Sequence, residues 1–300
     1  MWSALTCQRF SKRRLVAAVL SCDLSRPTLN QIASSAFTFD PACYTALANC
    51  LLLMSTIQTD FDRIALVSPE GSLQNTHYHN FLLRELPTHR QVALEIGCGK
   101  GEFSRRLAET FERVLAIDLS PEMIRLAREH SAHLTNIEFE LADVLTYDLP
   151  AQGFDCIATI ATLHHLPLRE VILKLKAALK PGGVLLVLDL FEPIKWHGHP
   201  ARDKCNSNAS TDQPRSIGEG WLDSFLNLIA MSVSVSLRLI HQRRLLPRCE
   251  VRAAWNEHAR HDIYPTIKEV HALCAEILPG ARIRKHLLWR YSVVWRSGGR

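Results

Sequence analysis

From Gln91 onward the chain alternates between short apolar runs and segments whose apolar residues recur at helical spacing. Val92 to Ile96 is an apolar run ended by Gly97, the pattern of a strand buried in a parallel sheet. Glu102 to Phe111 follows with Phe103, Leu107 and Phe111 on one helical face. Val114 to Ile117 predicts a second strand, closed by Asp118. Ser120-Pro121-Glu122 predicts a helix start, with Ser as N-cap and Pro in the first turn. Met123, Ile124 and Ala127 line one face of that helix. Ile137 to Leu141 alternates as a third strand ending near Asp143, and Phe154 to Ile160 reads as a fourth. Val171 to Leu179 is helical and stops at Pro181-Gly182-Gly183. Val184 to Leu190 is a fifth strand, apolar enough to be buried on both faces.

This pattern predicts an α/β fold: a doubly wound, mostly parallel seven-stranded sheet with helices on both faces and right-handed crossovers. Residues 191–262 break the alternation with a polar stretch, Arg202 to Glu219, and a helical-looking segment, Trp221 to Ile240. They are expected to form a helical, cap-like insertion after strand five, over the ligand crevice. A helix from Thr266 to Ile277 then leads through Pro279-Gly280 to two strands, Ala281–Leu288 and Tyr291–Arg296. Their closeness in sequence requires a C-terminal antiparallel hairpin. The main domain is expected over 54–300. Residues 1–53 are expected to be an N-terminal extension, poorly ordered or untranslated, with Met54 just ahead of a sequence that behaves like an ordinary start.

Charge sharpens that division. Residues 1–53 hold five basic side chains (Arg9, Lys12, Arg13, Arg14, Arg26) against two acids, so most of the formal +5 lies there. The near-neutral remainder gives no electrostatic case for binding nucleic acid. The apolar runs Leu15–Leu20 and Tyr44–Met54 fall short of the ~18 residues that cross a bilayer, so no membrane association is expected. Nine cysteines without a CxxC pair point to reduced thiols and a cytoplasmic protein. No metal is expected: His164-His165, His197 with His199, and His258 with His261 lack Cys or acidic partners at ligand spacing.

Candidate chemistry gathers at the carboxyl ends of the first strands. In Gly97-Cys98-Gly99-Lys100-Gly101 the glycines allow a sharp turn and a close backbone approach to a ligand. The helix behind them offers free N–H groups to an anion. Asp118, about twenty residues on, can accept both hydroxyls of a ribose. A nicotinamide dehydrogenase would share these features, but its third fingerprint glycine is here Glu102, whose carboxylate would oppose a pyrophosphate. Lys100 is outside a GxxxxGK(S/T) frame, which excludes a P-loop. Simpler readings stand beside these: Asp118 as part of a helix start, Asp143 as a solvated turn residue, and His164 and His165 as helix-entry contacts.

Leu94 to Gly101, Ala116 to Met123, Leu141 to Val144, Phe154 to Leu166 and Leu179 to Leu185 resemble, in order, the motifs of the class I S-adenosylmethionine-dependent methyltransferases. The resemblance runs from about Asn75 to Arg296 and is weakest across 195–262. It implies that Gly97, Gly99 and Gly101 turn beneath the methionine end of S-adenosylmethionine, and that Glu95 holds its ammonium. It implies Asp118 on the ribose, Leu119 and Met123 beside the adenine, Asp143 on the adenine amino group and Val144 on the ring. Ile160 and Ala161 would lie near the reacting centre, and Tyr78 and His79 could close over the cofactor. His164 and His165 are the candidate catalytic residues. An Asn/Asp-Pro-Pro-Tyr/Phe run, a Pro-Cys dipeptide and a two-glutamate loop are missing, which leaves an O, N or C atom of a small molecule as acceptor. Two other functions stay open at this stage: an NAD(P)-dependent oxidoreductase on the related fold, and a non-catalytic S-adenosylmethionine-binding protein. The oligomeric state is not legible.

Overall fold

A computed structural model describes residues 56–68, 73–191, 228–237, 239–240, 243, 246, 248–259, 262 and 264–298. The proposed extension and its start at Met54 lie outside these residues, as does 192–227 of the expected insertion.

Seven strands form one sheet in the order β3-β2-β1-β4-β5-β7-β6. They are β1 (Val92–Ile96), β2 (Arg113–Asp118), β3 (Ile137–Leu141), β4 (Phe154–Ile160), β5 (Leu179–Leu190), β6 (Arg282–His286) and β7 (Arg290–Arg296). The first five are parallel neighbours, and β7 runs antiparallel to both β5 and β6. The expected architecture is therefore present, including the terminal hairpin. One boundary differs from expectation. The fifth strand starts at Leu179 and carries Pro181-Gly182-Gly183 within its first half, with a register shift against β4 at Phe154/Cys156. Gly182 still turns the chain, at φ 79°; its N–H donates to Ser297, and the Ser297 N–H donates to Gly183.

Around the sheet lie α1 (56–67), α2 (Leu73–Thr76), α3 (His79–Leu83), α4 (Glu102–Ala108), α5 (Pro121–His130), α6 (Leu168–Ala178), α7 (228–237), α8 (Cys249–His258) and α9 (Ile267–Ile277). The strand period of two sorts the core. Leu94, Ile96, Ile157, Leu185 and Val187 face Val171, Leu175, Val270 and Ile277 of α6 and α9. Ala93, Cys156, Ala158, Leu186 and Leu188 face Leu82, Phe103 and Leu107 of α3 and α4. Helix starts follow local chemistry. Ser120 Oγ accepts the Met123 N–H at 3.1 Å behind Pro121, and Thr266 with Glu269 forms a capping box.

The β6–β7 hairpin turns at Leu288 and Trp289, both with left-handed backbone (φ 59° and 57°). Leu288 is buried. Around the turn, Tyr78 Oη donates to the Leu287 carbonyl at 2.6 Å and Arg290 Nη1 to the Leu288 carbonyl at 2.9 Å.

Candidate active site

The carboxyl ends of β1, β2 and β4 open into a cavity of about 230 Å³. Its floor is the turn after β1. Gly97, Gly99 and Gly101 all adopt positive φ (67°, 53° and 75°). The N–H groups of Gly97 and Cys98 both donate to the Ile117 carbonyl, and Gly101 N–H donates to Cys98. The glycines serve different purposes. A Cβ on Gly97 would stand 2.1 Å from Thr162 Oγ1, and one on Gly101 would stand 2.8 Å from the Phe139 ring. A Cβ on Gly99 would meet nothing within 4 Å. Gly99 lines the cavity, so what its missing side chain leaves open is space for a ligand.

Asp118 ends β2 and is bound into the same turn. Its Oδ2 accepts the Gly99 N–H at 2.8 Å and its Oδ1 the Ser120 N–H at 2.9 Å. Burial raises its pKa, opposed by these backbone bonds. Each oxygen keeps a further acceptor direction for a ligand hydroxyl. Leu119, Met123, Ala142 and Val144 form an apolar slot beside it, and Asp143 lies at the rim, its Oδ1 accepting the Leu145 N–H at 2.9 Å.

Glu95 is 2% exposed near the carboxyl end of β1 and accepts from Ser104 Oγ at 2.5 Å. Burial pushes its pKa up to about 8, against the Ser104 bond, and nearby Glu102 and Asp118 raise it further. A buried acid in a cavity wall, with two more acids close by, suits a cationic ligand group.

Across the cavity, β4 delivers Ile160, Ala161 and Thr162. Ala161 sits at φ 53°, its N–H donating to the Leu188 carbonyl at 2.7 Å. A left-handed alanine at the mouth of a cavity is backbone strain of the kind that marks ligand sites. Of the neighbouring helix, His79 lines the cavity against Phe103, and burial followed by Arg106 lowers its pKa to about 4. Tyr78 does not line it. Its hydroxyl is spent on the Leu287 carbonyl instead, which removes it from the cofactor-closing role expected from sequence.

The two histidines after β4 also part ways. His164 is buried outside the lining, with Nδ1 2.6 Å from Asp189 Oδ1 on β5 and its N–H on Asp189 Oδ2 at 3.0 Å. His165 lines the cavity and stands 3.3 Å from Asp262 Oδ1. Among the described residues His164, His165 and Asp262 place ligand-capable atoms within 4.8 Å of one another. The acidic partner that the sequence reading found missing beside the histidine pair thus comes from the segment before α9.

Several lining residues were not anticipated. Ile57, Phe61 and Ile64 of α1 cover the cavity, and Trp255 of α8 reaches it. Asp62 anchors α1 by accepting from Ser120 Oγ at 2.5 Å and Glu122 N–H at 3.2 Å. Lys100 Nζ donates to the Ser68 carbonyl at 2.9 Å, joining the glycine turn to the residue that follows α1. The i, i+4, i+7 spacing of Ile57, Phe61 and Ile64 was a signal for α1.

Sheet order, glycine elbow and strand-end acids together define a doubly wound α/β fold with a cavity at the carboxyl ends of its strands. Residues 93–183 match the methyltransferase domain family. An uncharacterized methyltransferase of Mycobacterium tuberculosis is 27% identical over 227 residues, covering 74% of this chain and 95% of the relative. A ubiquinone biosynthesis O-methyltransferase of Xylella fastidiosa is 33% identical over 144 residues, 43% of this chain and 58% of that one. The solved DhpI–SAH complex shares the fold with a TM-score of 0.52 at 17% identity, over 83% of this chain and 98% of that chain. The chain is thus similar over about three quarters of its length to a protein named a methyltransferase, and it carries a methyltransferase-domain match at the glycine elbow and the strands around it.

Proposed function

We propose that this cavity binds S-adenosylmethionine and that the protein transfers its methyl group to an O, N or C atom of a small molecule. The observation that carries the reading is the convergence of Glu95, Gly99 and Asp118 on one cavity. A buried acid awaits a cation, an open glycine position awaits a close-packed chain, and a turn-bound acid awaits hydroxyls. Glu95 would hold the ammonium, Gly97, Gly99 and Gly101 would run beneath the methionine end, and Asp118 would take the ribose. Leu119, Met123 and Val144 would hold the adenine, with Asp143 on its amino group. His79 and Ile160 would flank the reacting end.

Bound there, S-adenosylmethionine supplies a methyl group made electrophilic by its sulfonium. The chain's own task is alignment, which can contribute about 7–11 kcal/mol to lowering a barrier. Phe61, Ile64, Leu166 and Trp255 line the cavity with apolar surface that keeps water from the reacting atoms. Part of this wall comes from α8 in the 191–262 insertion, in keeping with a cap. A small-molecule acceptor is supported by the ubiquinone-biosynthesis relative.

The test is calorimetric titration with S-adenosylhomocysteine, alongside NAD and NADP. Saturable one-to-one binding of S-adenosylhomocysteine, reduced at least thirtyfold in Asp118→Ala, is expected. Binding of a dinucleotide in its place would reject the reading.

A further inference from the structure

Beyond Ala161, His165 in the cavity wall is backed by a cluster of titratable groups that methyl-donor binding does not use. His165 belongs to the short 3-10 turn Leu163–His165. Its Nδ1 lies 3.3 Å from Asp262 Oδ1. Its Nε2 is buried without a hydrogen-bond partner. Asp262 is fixed from other sides: Tyr264 Oη donates to its Oδ2 at 2.6 Å, and His258 Nε2 stands 3.5 Å from its Oδ1. His258 in turn has Nδ1 3.4 Å from Asp60 Oδ2 on α1. Four separate parts of the chain therefore meet around one imidazole.

An aspartate oxygen can only accept. If His165 carries its ring proton on Nδ1, facing Asp262, Nε2 is left with a bare lone pair. A buried lone pair with no donor is unfavourable unless it has a task. We infer that His165 is the general base of the reaction, that Asp262 is the positioning residue that sets its tautomer, and that the acceptor is a hydroxyl compound, a phenol by preference. The inference rests on the S-adenosylmethionine reading of the adjoining cavity.

The step balances. Nε2 of His165 takes the hydroxyl proton while the acceptor oxygen bonds to the methyl carbon. The carbon–sulfur bond breaks with its electron pair going to sulfur. One positive charge leaves sulfur and one arrives on the imidazole, so the site's net charge is unchanged. The choice of hydroxyl over amine follows from the surroundings. The groups facing His165 are the His164 ring at 3.8 Å, the His258 ring at 5.0 Å, the Phe61 edge at 5.5 Å and Asp262. Burial first, then His164 and His258, hold the pKa of His165 well below its ordinary value. That keeps it a neutral proton acceptor at neutral pH, and the Asp262 carboxylate 3.3 Å from Nδ1 offsets the charge that arrives with the proton. Phe61, Leu166 and Trp255 offer a flat neutral ring an apolar bed.

The test uses full-length protein with histidine labelled in 15N and saturated with S-adenosylhomocysteine. Long-range proton–nitrogen correlation spectra read the ring tautomers. The His165 Nδ1–H form is expected in the wild type, moving toward Nε2–H in Asp262→Asn. An Nε2–H form in the wild type, or no change in Asp262→Asn, would overturn the assignment whatever the acceptor. Calorimetry with S-adenosylhomocysteine, run on the same samples, separates this from failure of the cofactor reading: His165→Gln is expected to bind within about threefold of wild type. With labelled S-adenosylmethionine, catechol and 4-hydroxybenzoate are offered against phosphoethanolamine and ethylamine. Transfer to the hydroxyl compounds is expected, with kcat lowered about 10²–10⁴-fold in His165→Gln and KM for S-adenosylmethionine unchanged. Transfer confined to the amines would overturn the proposal. So would stoichiometric Zn(II) binding that is lost in His165→Gln, because a metal would then own the lone pair.

Discussion

Asp118 Oδ2 accepts the N–H of Gly99 at 2.8 Å, so the acid at the end of β2 and the elbow after β1 form one rigid unit. Removing that carboxylate takes away a ligand acceptor and frees the turn. Asp118→Ala is expected to weaken S-adenosylhomocysteine binding by about 2–4 kcal/mol, on the scale of charged hydrogen bonds lost from a half-buried site. Asp118→Asn, which keeps one oxygen, should fall between. Calorimetry on folded protein, checked by circular dichroism, reads both.

Gly97 and Gly99 are expected to fail differently. Gly97→Ala drives a methyl group onto Thr162 Oγ1 at 2.1 Å. Overpacking of this kind costs about 1–3 kcal/mol, and left-handed strain adds about 1 kcal/mol. Gly99→Ala meets open space, so it should lose only about 1 kcal/mol of stability while blocking the ligand. Denaturant titration paired with calorimetry should show one variant unstable and the other stable but unable to bind.

Glu95 predicts a pH signature for the ligand-free protein. Burial raises its pKa from 4.5 to about 8. Between these values the unfolded chain has released a proton that the native protein keeps. The unfolded state thus binds fewer protons, and this contribution to stability falls as pH rises. It is fully present below about pH 4.5 and gone above about pH 8. Glu95→Gln should remove that slope in melting temperature. Affinity for S-adenosylhomocysteine should climb with pH toward 8 in the wild type, as the carboxylate that meets the ammonium forms, and should be flatter in Glu95→Gln.

Asp155 predicts the opposite slope. Its Oδ2 accepts the Val92 N–H at 2.8 Å and Lys180 Nζ at 2.9 Å, linking β1, β4 and β5 away from the cavity. Burial raises its pKa, but the Val92 and Lys180 bonds outweigh it and hold the carboxyl below its ordinary value. Stability from this group is present above the ordinary carboxylate range and lost as pH falls through the lowered pKa. Asp155→Asn should cost about 1–3 kcal/mol at neutral pH and less in acid, without changing S-adenosylhomocysteine affinity.

The sheet and the elbow were legible because they are local. Buried parallel strands must be apolar along their length, and glycine at positive φ has few substitutes, so Val92–Ile96 and Gly97–Gly101 declare themselves. Asp118 follows from its place at a strand end. The rest depended on packing. Tyr78 and His79 are neighbours at the start of a five-residue helix, too short for periodicity to say which one faces the cavity. His165 could be picked out beside His164, but Asp262 reaches it from far along the chain, and no spacing rule links them. The same limit hid Asp62 and Trp255.

Leu288 and Trp289 have one more consequence. Hairpins with two left-handed residues at the tip normally carry Asn-Gly there, because other side chains disfavour that backbone by about 1–2 kcal/mol each. This tip keeps bulky residues and is held by what surrounds it: a buried leucine, the tyrosine hydroxyl in front of the first strand, and a guanidinium folded back on its own loop. Excised as a free peptide, residues 282–296 would lose the bend. The tertiary fold imposes this turn; local preference did not choose it.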